Sequence, residues 1–291
     1  MIKDGKQAQT LKKMMNGGNS GSSLKVLSIT SGKGGVGKTN VVANLAYSLQ
    51  KKDQRVLVFD ADIGLGNVDI LLGLAPKFNL QHVLEGKKKI EEIIVEGPGG
   101  LSILPATSGV QELTHLDKDA RLVLVEELDR ISDQYDYLIF DTGAGISSNV
   151  TYFCCAAHEI LVIVSTEPTS LTDAYALIKV LNQKHGQKHF RLIVNTVKSD
   201  KEAKEIYKHL SAVTDRFLDS VSINYLGHII SDPNVPKSVR QQKPFMELYP
   251  YSKVSKCIND LSYTLIQERE KERHTADSSR TFFWNSVFPV Q

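Results

Sequence analysis

The sequence predicts a doubly wound α/β fold, a mostly parallel sheet flanked by helices. Three observations carry that prediction. Seven apolar, β-branched runs recur along the chain, and most are continuous rather than alternating, as strands buried on both faces are. Amphipathic stretches separate them, so the order β-α-β-α calls for right-handed crossovers. At 291 residues, 41% hydrophobic and 23% charged, the chain is long enough for one large domain with a substantial core.

The elements follow in order. Residues 1–23 stand apart: a polar segment, "DGKQAQTLKKMM", leads into "NGGNSGSS", whose glycines and serines make a flexible tether. From Leu24, "LKVLSIT" reads as the first strand and Lys38 to Lys51 as the first helix; "RVLVFD" and "LSILPA" are strands, and Asp117 to Gln134 has helical spacing. "YDYLIFD" and "EILVIVS" are strands, followed by a helix from Leu171 to Lys184. "FRLIVNT", a helix from Asp200 to Leu218, and "VSINYLGHI" complete the alternation. Tyr251 to Arg273 is a late helix, and "TADSSRTFFWNSVFPVQ" is a tail of different composition. The expected division is therefore a segment at 1–23, a folded domain at 24–273 and a tail at 274–291.

Composition excludes several functions. Net charge is +2 with the basic residues spread out, so no specific nucleic-acid partner is expected. Cys154, Cys155 and Cys257 are odd in number and form no C-x-x-C, which indicates neither a disulfide framework nor a zinc site and fits a reducing cytoplasm. Cys154 and Cys155 read as a buried helix face near the sheet, and Lys87 to Lys89 as a solvated loop. His185 and His189 lie four apart, but Gly186 weakens any helix between them and no carboxylate pair accompanies them. No apolar run approaches the roughly 18 residues of a spanning helix, and the N-terminus lacks an apolar signal core, so a soluble protein is expected.

The chemistry is concentrated in "GKGGVGKT", Gly32 to Thr39, which has the spacing G-x-x-x-x-G-K-T between a strand and a helix. Glycines let the backbone wrap so that successive N–H groups converge on phosphate oxygens, and the helix N-terminus adds its positive dipole end. The expected nucleotide site is the run Gly32, Lys33, Gly34, Gly35, Val36, Gly37, Lys38, Thr39 and Asn40, with Lys38 bridging the terminal phosphates and the Thr39 hydroxyl on Mg²⁺. Two acidic strand ends complete such a site: "RVLVFDAD" closes with Asp60 and Asp62, and "YDYLIFDTGAG" with Asp141, followed by Gly143. The carboxyl ends of strands in an open parallel sheet form the ligand crevice, so these groups should gather around the phosphates.

The run "KGGVGKT" with its second lysine, Lys33, resembles the deviant P-loop of the ParA/MinD group of ATPases, and "DADIGLGNVDILLGL" resembles their second acidic motif. Within that group, "DPNVPKSVRQQKPFMELYPYS" and the Gln7–Lys12 segment are similar to the FlhG family (FleN, YlxH), MinD-like ATPases that set flagellar number and placement. The resemblance implies that Lys33 crosses an ATP-dependent homodimer interface to the phosphates of the partner subunit. It further implies that Asp60 and Asp141 join Thr39 around Mg²⁺, that Asp62 orients the attacking water, and that Asn195 with backbone at Asp232 and Pro233 reads adenine. Asn195 as a helix cap is the alternative. Gln7 and Leu11 are the implied contacts to a signal-recognition-type GTPase, FlhF, although Lys6 stands where that family commonly has an acidic residue. The tail residues Phe282, Phe283, Trp284, Val287 and Phe288 resemble a membrane-targeting segment for an anionic surface; packing back on the domain is the alternative. A flagellar switch-complex component or a transcription activator completes the implied partners. The expected location is cytoplasmic, reaching the inner face of the membrane with ATP. A DNA-partitioning ATPase, a division-site positioner and a purely nucleotide-switched regulator remain open beside this reading.

Overall fold

The computed structural model describes residues 24–63, 66–105, 118–218 and 220–275. The expectations for Gln7, Leu11 and the aromatic tail residues therefore lie outside the described residues. Within them, β1 (Lys25–Ser31), β2 (Val56–Ala61), β3 (Val95–Glu96), β4 (Ser102–Leu104), β5 (Tyr137–Ala144), β6 (Glu159–Val164), β7 (His189–Val197) and β8 (Ser222–Ile230) form one sheet in the order β3-β4-β2-β5-β1-β6-β7-β8. Every pairing is parallel except β3 with β4. The continuous apolar runs are the central strands: all six residues of β2 are buried, as are all of β1 after Lys25. Edge strand β8 is more open, and its buried residues divide between the two faces, Ile223 packing with Leu177 and Leu210 and Leu226 and Ile229 with Ile258 and Leu261.

Helices α1 (Lys38–Gln50), α2 (Val68–Leu71), α3 (Leu80–Leu84), α4 (Ile90–Ile93), α5 (Lys118–Ile131), α6 (Ser148–Cys155), α7 (Pro168–His185), α8 (Asp200–Phe217), α9 (Asn234–Arg240), α10 (Phe245–Leu248) and α11 (Lys253–Thr275) cover the two faces. On one face Leu45 and Leu49 of α1 pack with Ile258 and Leu261 of α11 over Leu27 and Ile139. On the other, Phe59 and Phe140 of the sheet meet Phe153 of α6 edge to face or tilted, with centroids 5.1–5.7 Å apart, in a cluster shared with Leu124 and Leu128 of α5. Each such buried ring or aliphatic side chain stabilises by about 1.5–3 kcal/mol before the entropy of ordering it is charged.

Local signals set the helix ends. Pro168 sits in the first turn of α7, where its missing N–H costs nothing, so that helix starts three residues earlier than its apolar spacing suggests. It stops at Gly186, in a left-handed conformation at φ 69°. The turn at Gly186 puts His189 in β7, on a different element from His185. Cys154 is fully buried on α6 beside the sheet, as its apolar neighbours suggest. Among the described residues between β2 and β4 lie α2, α3, α4, a 3-10 turn at Pro98–Gly100 and the two-residue β3, none long enough to show a period; β4 itself is three residues rather than six.

At the amino ends of the strands an ionic network ties α11 to the sheet. Lys25 bridges Glu159 at 2.6 Å and Glu272 at 3.0 Å, while Asp136 receives Arg269 at 2.9 Å and Arg55 at 3.0 Å. Burial would raise the Asp136 carboxyl, but hydrogen bonds from Arg55 and Arg269 outweigh it and hold it well below the usual carboxylate range. The opposite, carboxyl end of the sheet is left for the site.

Candidate active site

The loop after β1 is shaped by close packing. A Cβ on Gly32 would stand 2.1 Å from the backbone carbonyl carbon of Asp173 in α7, a distance no side chain survives. Gly35 and Gly37 hold φ of 82° and 86°, a region that penalises other residues. Val36 is buried and pins the loop to the core, and its carbonyl accepts the Asn195 Nδ2–H at 2.7 Å. Gly37 caps α1, whose first turn carries no acidic residue, so its positive end is unopposed. Gly34 meets nothing within 4 Å and its φ is ordinary, so packing alone does not require it.

Strands β2 and β5 are neighbours in a register that places Asp60 opposite Asp141. Both carboxylates are buried, at 2% and 1% exposure, and the Lys38 ammonium, itself 8% exposed, donates to Asp141 Oδ1. Asp60 Oδ2 accepts the Val68 N–H at 3.0 Å, and Oδ1 accepts the Asp62 N–H at 3.3 Å. Burial, then the Asp141 charge, pushes the Asp60 carboxyl up to about 7, against those hydrogen bonds and Lys38. Burial also raises Asp62, with Lys38 pulling the other way. Gly143 is the floor beneath Asp62: a Cβ there would lie 2.9 Å from Asp62 Oδ1.

Among the described residues no group of three or more His, Cys, Asp or Glu side chains makes a ready metal cage. The donor set nevertheless fits Mg²⁺, which keeps several waters and takes one or two carboxylates with substrate phosphates. Two buried aspartates facing each other across β2 and β5, one of them raised by burial and by the other's charge, are such a set, with the Thr39 hydroxyl at the start of α1 as the expected further oxygen.

The structure thus brings Lys38, Asp60, Asp62, Asp141 and Gly143 together around the loop. It places others differently. The Asn195 amide lies against the loop, and its Oδ1 accepts the Thr196 N–H at 2.9 Å; it caps no helix. Asp232 Oδ1 takes the Asn234 N–H at 2.8 Å, and Pro233 opens α9. Lys33 does not extend freely from its subunit: its ammonium bonds to Glu167 and to Thr169 Oγ1, the latter at 2.9 Å, at the start of α7. Asn40, after Thr39, accepts two bonds from Asn44, whose Oδ1 takes the Met246 N–H at 3.0 Å. Sequence reading missed Glu167, Thr169, Asp173 and Asn44. "EPTSLTD" marks a helix start and nothing more, and Asn44 is one polar residue in an apolar helix.

Such a loop and acidic centre, set on this sheet, define a P-loop ATPase of the MinD/ParA class, which binds ATP and hydrolyses it. Known proteins agree. The AAA domain family matches residues 24–194. The antiactivator FleN of Pseudomonas aeruginosa is 47% identical over 80% of this chain and 82% of its own, and the flagellum site-determining protein YlxH of Helicobacter pylori is 37% identical over 91% of each. The MinC:MinD cell division complex of Aquifex aeolicus superposes with a TM-score of 0.68 at 30% identity, covering 84% of this chain and 96% of that one. The chain belongs to the FlhG family, the FleN- and YlxH-type branch of the MinD/ParA ATPases.

Proposed function

We propose that this protein is an ATP-switched regulator of flagellar number and placement, which pairs when it holds ATP and thereby gains reversible contact with the membrane and with flagellar partners. The observation that carries the reading is the position of Lys33: it takes its contacts at the subunit surface, from α7, while Lys38 alone serves the buried Asp141 centre. A second lysine outside its own phosphate centre has its use in another subunit's.

In this reading Lys38 and the loop N–H groups from Gly32 to Asn40 hold the β- and γ-phosphates. Thr39, Asp60 and Asp141 would hold Mg²⁺, which supplies charge neutralisation at the phosphate oxygens. Asp62, raised by burial and seated on Gly143, orients the water. Lys33 from the partner subunit neutralises charge that develops on the transferred phosphoryl group, a role worth about 10³–10⁵ in rate where an arginine performs it. Asn195, with one N–H and one lone pair left after its bonds to the Val36 carbonyl and the Thr196 N–H, reads adenine together with backbone at Asp232 and Pro233.

The division into a partner segment at 1–23, an ATPase domain at 24–273 and a tail at 274–291 is part of the same proposal. Gln7 and Leu11 contact the FlhF-type GTPase, and Phe282, Phe283, Trp284, Val287 and Phe288 insert partially into an anionic membrane. One tail binds weakly, and two on a dimer bind far better through effective concentration. A switch-complex component or transcription activator reads the paired state at the inner face of the membrane. Mass in solution with ADP and with ATP tests the core of this: a monomer with ADP and a dimer with ATP are expected, and one mass in both sinks it. Sedimentation with anionic liposomes and ATP, before and after truncation ahead of Arg280, tests the tail.

A further inference from the structure

We infer that Glu167 and Thr169 form a latch that holds Lys33 within its own subunit, and that this latch raises the protein concentration at which nucleotide-bound subunits pair. The inference rests on the trans role of Lys33 proposed above. The geometry has a fixed base and one moving part. Gly32 is wedged against the α7 backbone at Asp173 and Ala174, and Ser31 Oγ donates to the Lys33 carbonyl at 3.0 Å, so the Lys33 main chain is fixed relative to α7. From there its four-carbon stem reaches the Glu167 carboxylate and the Thr169 hydroxyl at 2.9 Å. Among the described residues these are its side-chain partners, and Lys33 is the side-chain partner of Glu167.

The contact is built to yield. The Glu167 side chain is 62% exposed and that of Lys33 35%, so water competes and the pair contributes little to folding. A nucleoside triphosphate brought up by a second subunit offers an ammonium several negative charges in a site that excludes water, where each counts for more than one hydrated carboxylate. A diphosphate offers fewer and releases Lys33 less readily. A lysine without the latch would start pairing from an unpartnered charge and so pair at lower protein concentration.

The test uses the full chain and Glu167→Gln, with Lys33→Ala and Glu167→Asp beside it. Pairing is followed by sedimentation against protein concentration, with Mg²⁺ and either a non-hydrolysable ATP analogue or ADP. E167Q is expected to pair at about two- to fivefold lower concentration with the analogue and to show some pairing with ADP, while E167D stays near wild type. Equal or weaker pairing by E167Q, in a chain whose pairing K33A abolishes, overturns the latch and leaves the trans lysine standing; equal pairing by K33A overturns the trans lysine itself. A separate reading needs no dimer: acetylation of Lys33 in the ADP-bound monomer, followed by mass spectrometry, is expected to run faster in E167Q by a similar factor, and an unchanged rate overturns the latch.

Discussion

Single residues in this site act through the space and charge their neighbours leave them. Gly143 has an ordinary backbone conformation, yet its missing Cβ is what gives Asp62 room. Gly143→Ala should displace that carboxylate and lower single-turnover hydrolysis by about ten- to a hundredfold, with nucleotide affinity nearly unchanged in a binding titration. Asp60 is the converse, a charge held where burial opposes it. Its carboxyl is raised from 3.8 to about 7, so its contribution to stability is present in acid, below its unfolded value, and is lost as pH rises from about 4 to 7. Unliganded Asp60→Asn, free of that loss, should therefore gain in urea-unfolding free energy over wild type as pH is raised from 5 to 8, by on the order of 1–3 kcal/mol at the upper end. A gain that stays constant across that range would show that Asp60 is not the titrating group.

Elements transmit what these residues sense. Helix α1 leaves the loop at Lys38 and, nearly two turns later, presents Asn44, buried at 1% exposure, between Asn40 and the backbone of α10. Helix α2 begins where Asp60 accepts the Val68 N–H, and its Ile70 carbonyl accepts the Gln242 amide at 2.8 Å, just before α10. The segment from Gln242 to Met246 is thus tied to both the phosphate loop and the acidic centre. Asn44→Ala leaves the Met246 N–H without its acceptor and should cost about 1–3 kcal/mol in urea unfolding. The same variant should loosen α10, read as faster amide exchange at Met246 with little change at β6. Exchange that rises equally in both would mean a general loss of stability rather than a local tie.

At the scale of the molecule, the two ends of the sheet do different work. The carboxyl ends gather the phosphate loop and carboxylates, while the amino ends are stapled by α11 through Asp136, Arg269, Lys25 and Glu272. Because the Asp136 carboxyl is held below its ordinary value, its contribution is present above about pH 4 and lost as pH falls below that. Asp136→Asn should thus flatten the acid limb of a urea-midpoint profile between pH 5 and 3, and an acid limb identical to wild type would assign it to other carboxylates. Together with Asp60, this places the unliganded protein's stability between an acid loss at one end of the sheet and a rise-in-pH loss at the other.

The sequence by itself determined the doubly wound class, because strands buried on both faces read as unbroken apolar runs and the turns between them carry glycine and proline. It also determined the phosphate loop and the acidic strand ends, since G-x-x-x-x-G-K-T and an aspartate closing a strand owe their meaning to local backbone geometry. Only the tertiary structure decided where Lys33 rests, what Asn195 and Asn44 hold, and why Gly32 and Gly143 must be glycine. Those depend on contacts such as Lys33 with Glu167 and Gly32 with Asp173, made between segments more than a hundred residues apart, and no local period or spacing records which distant side chain folding brings alongside.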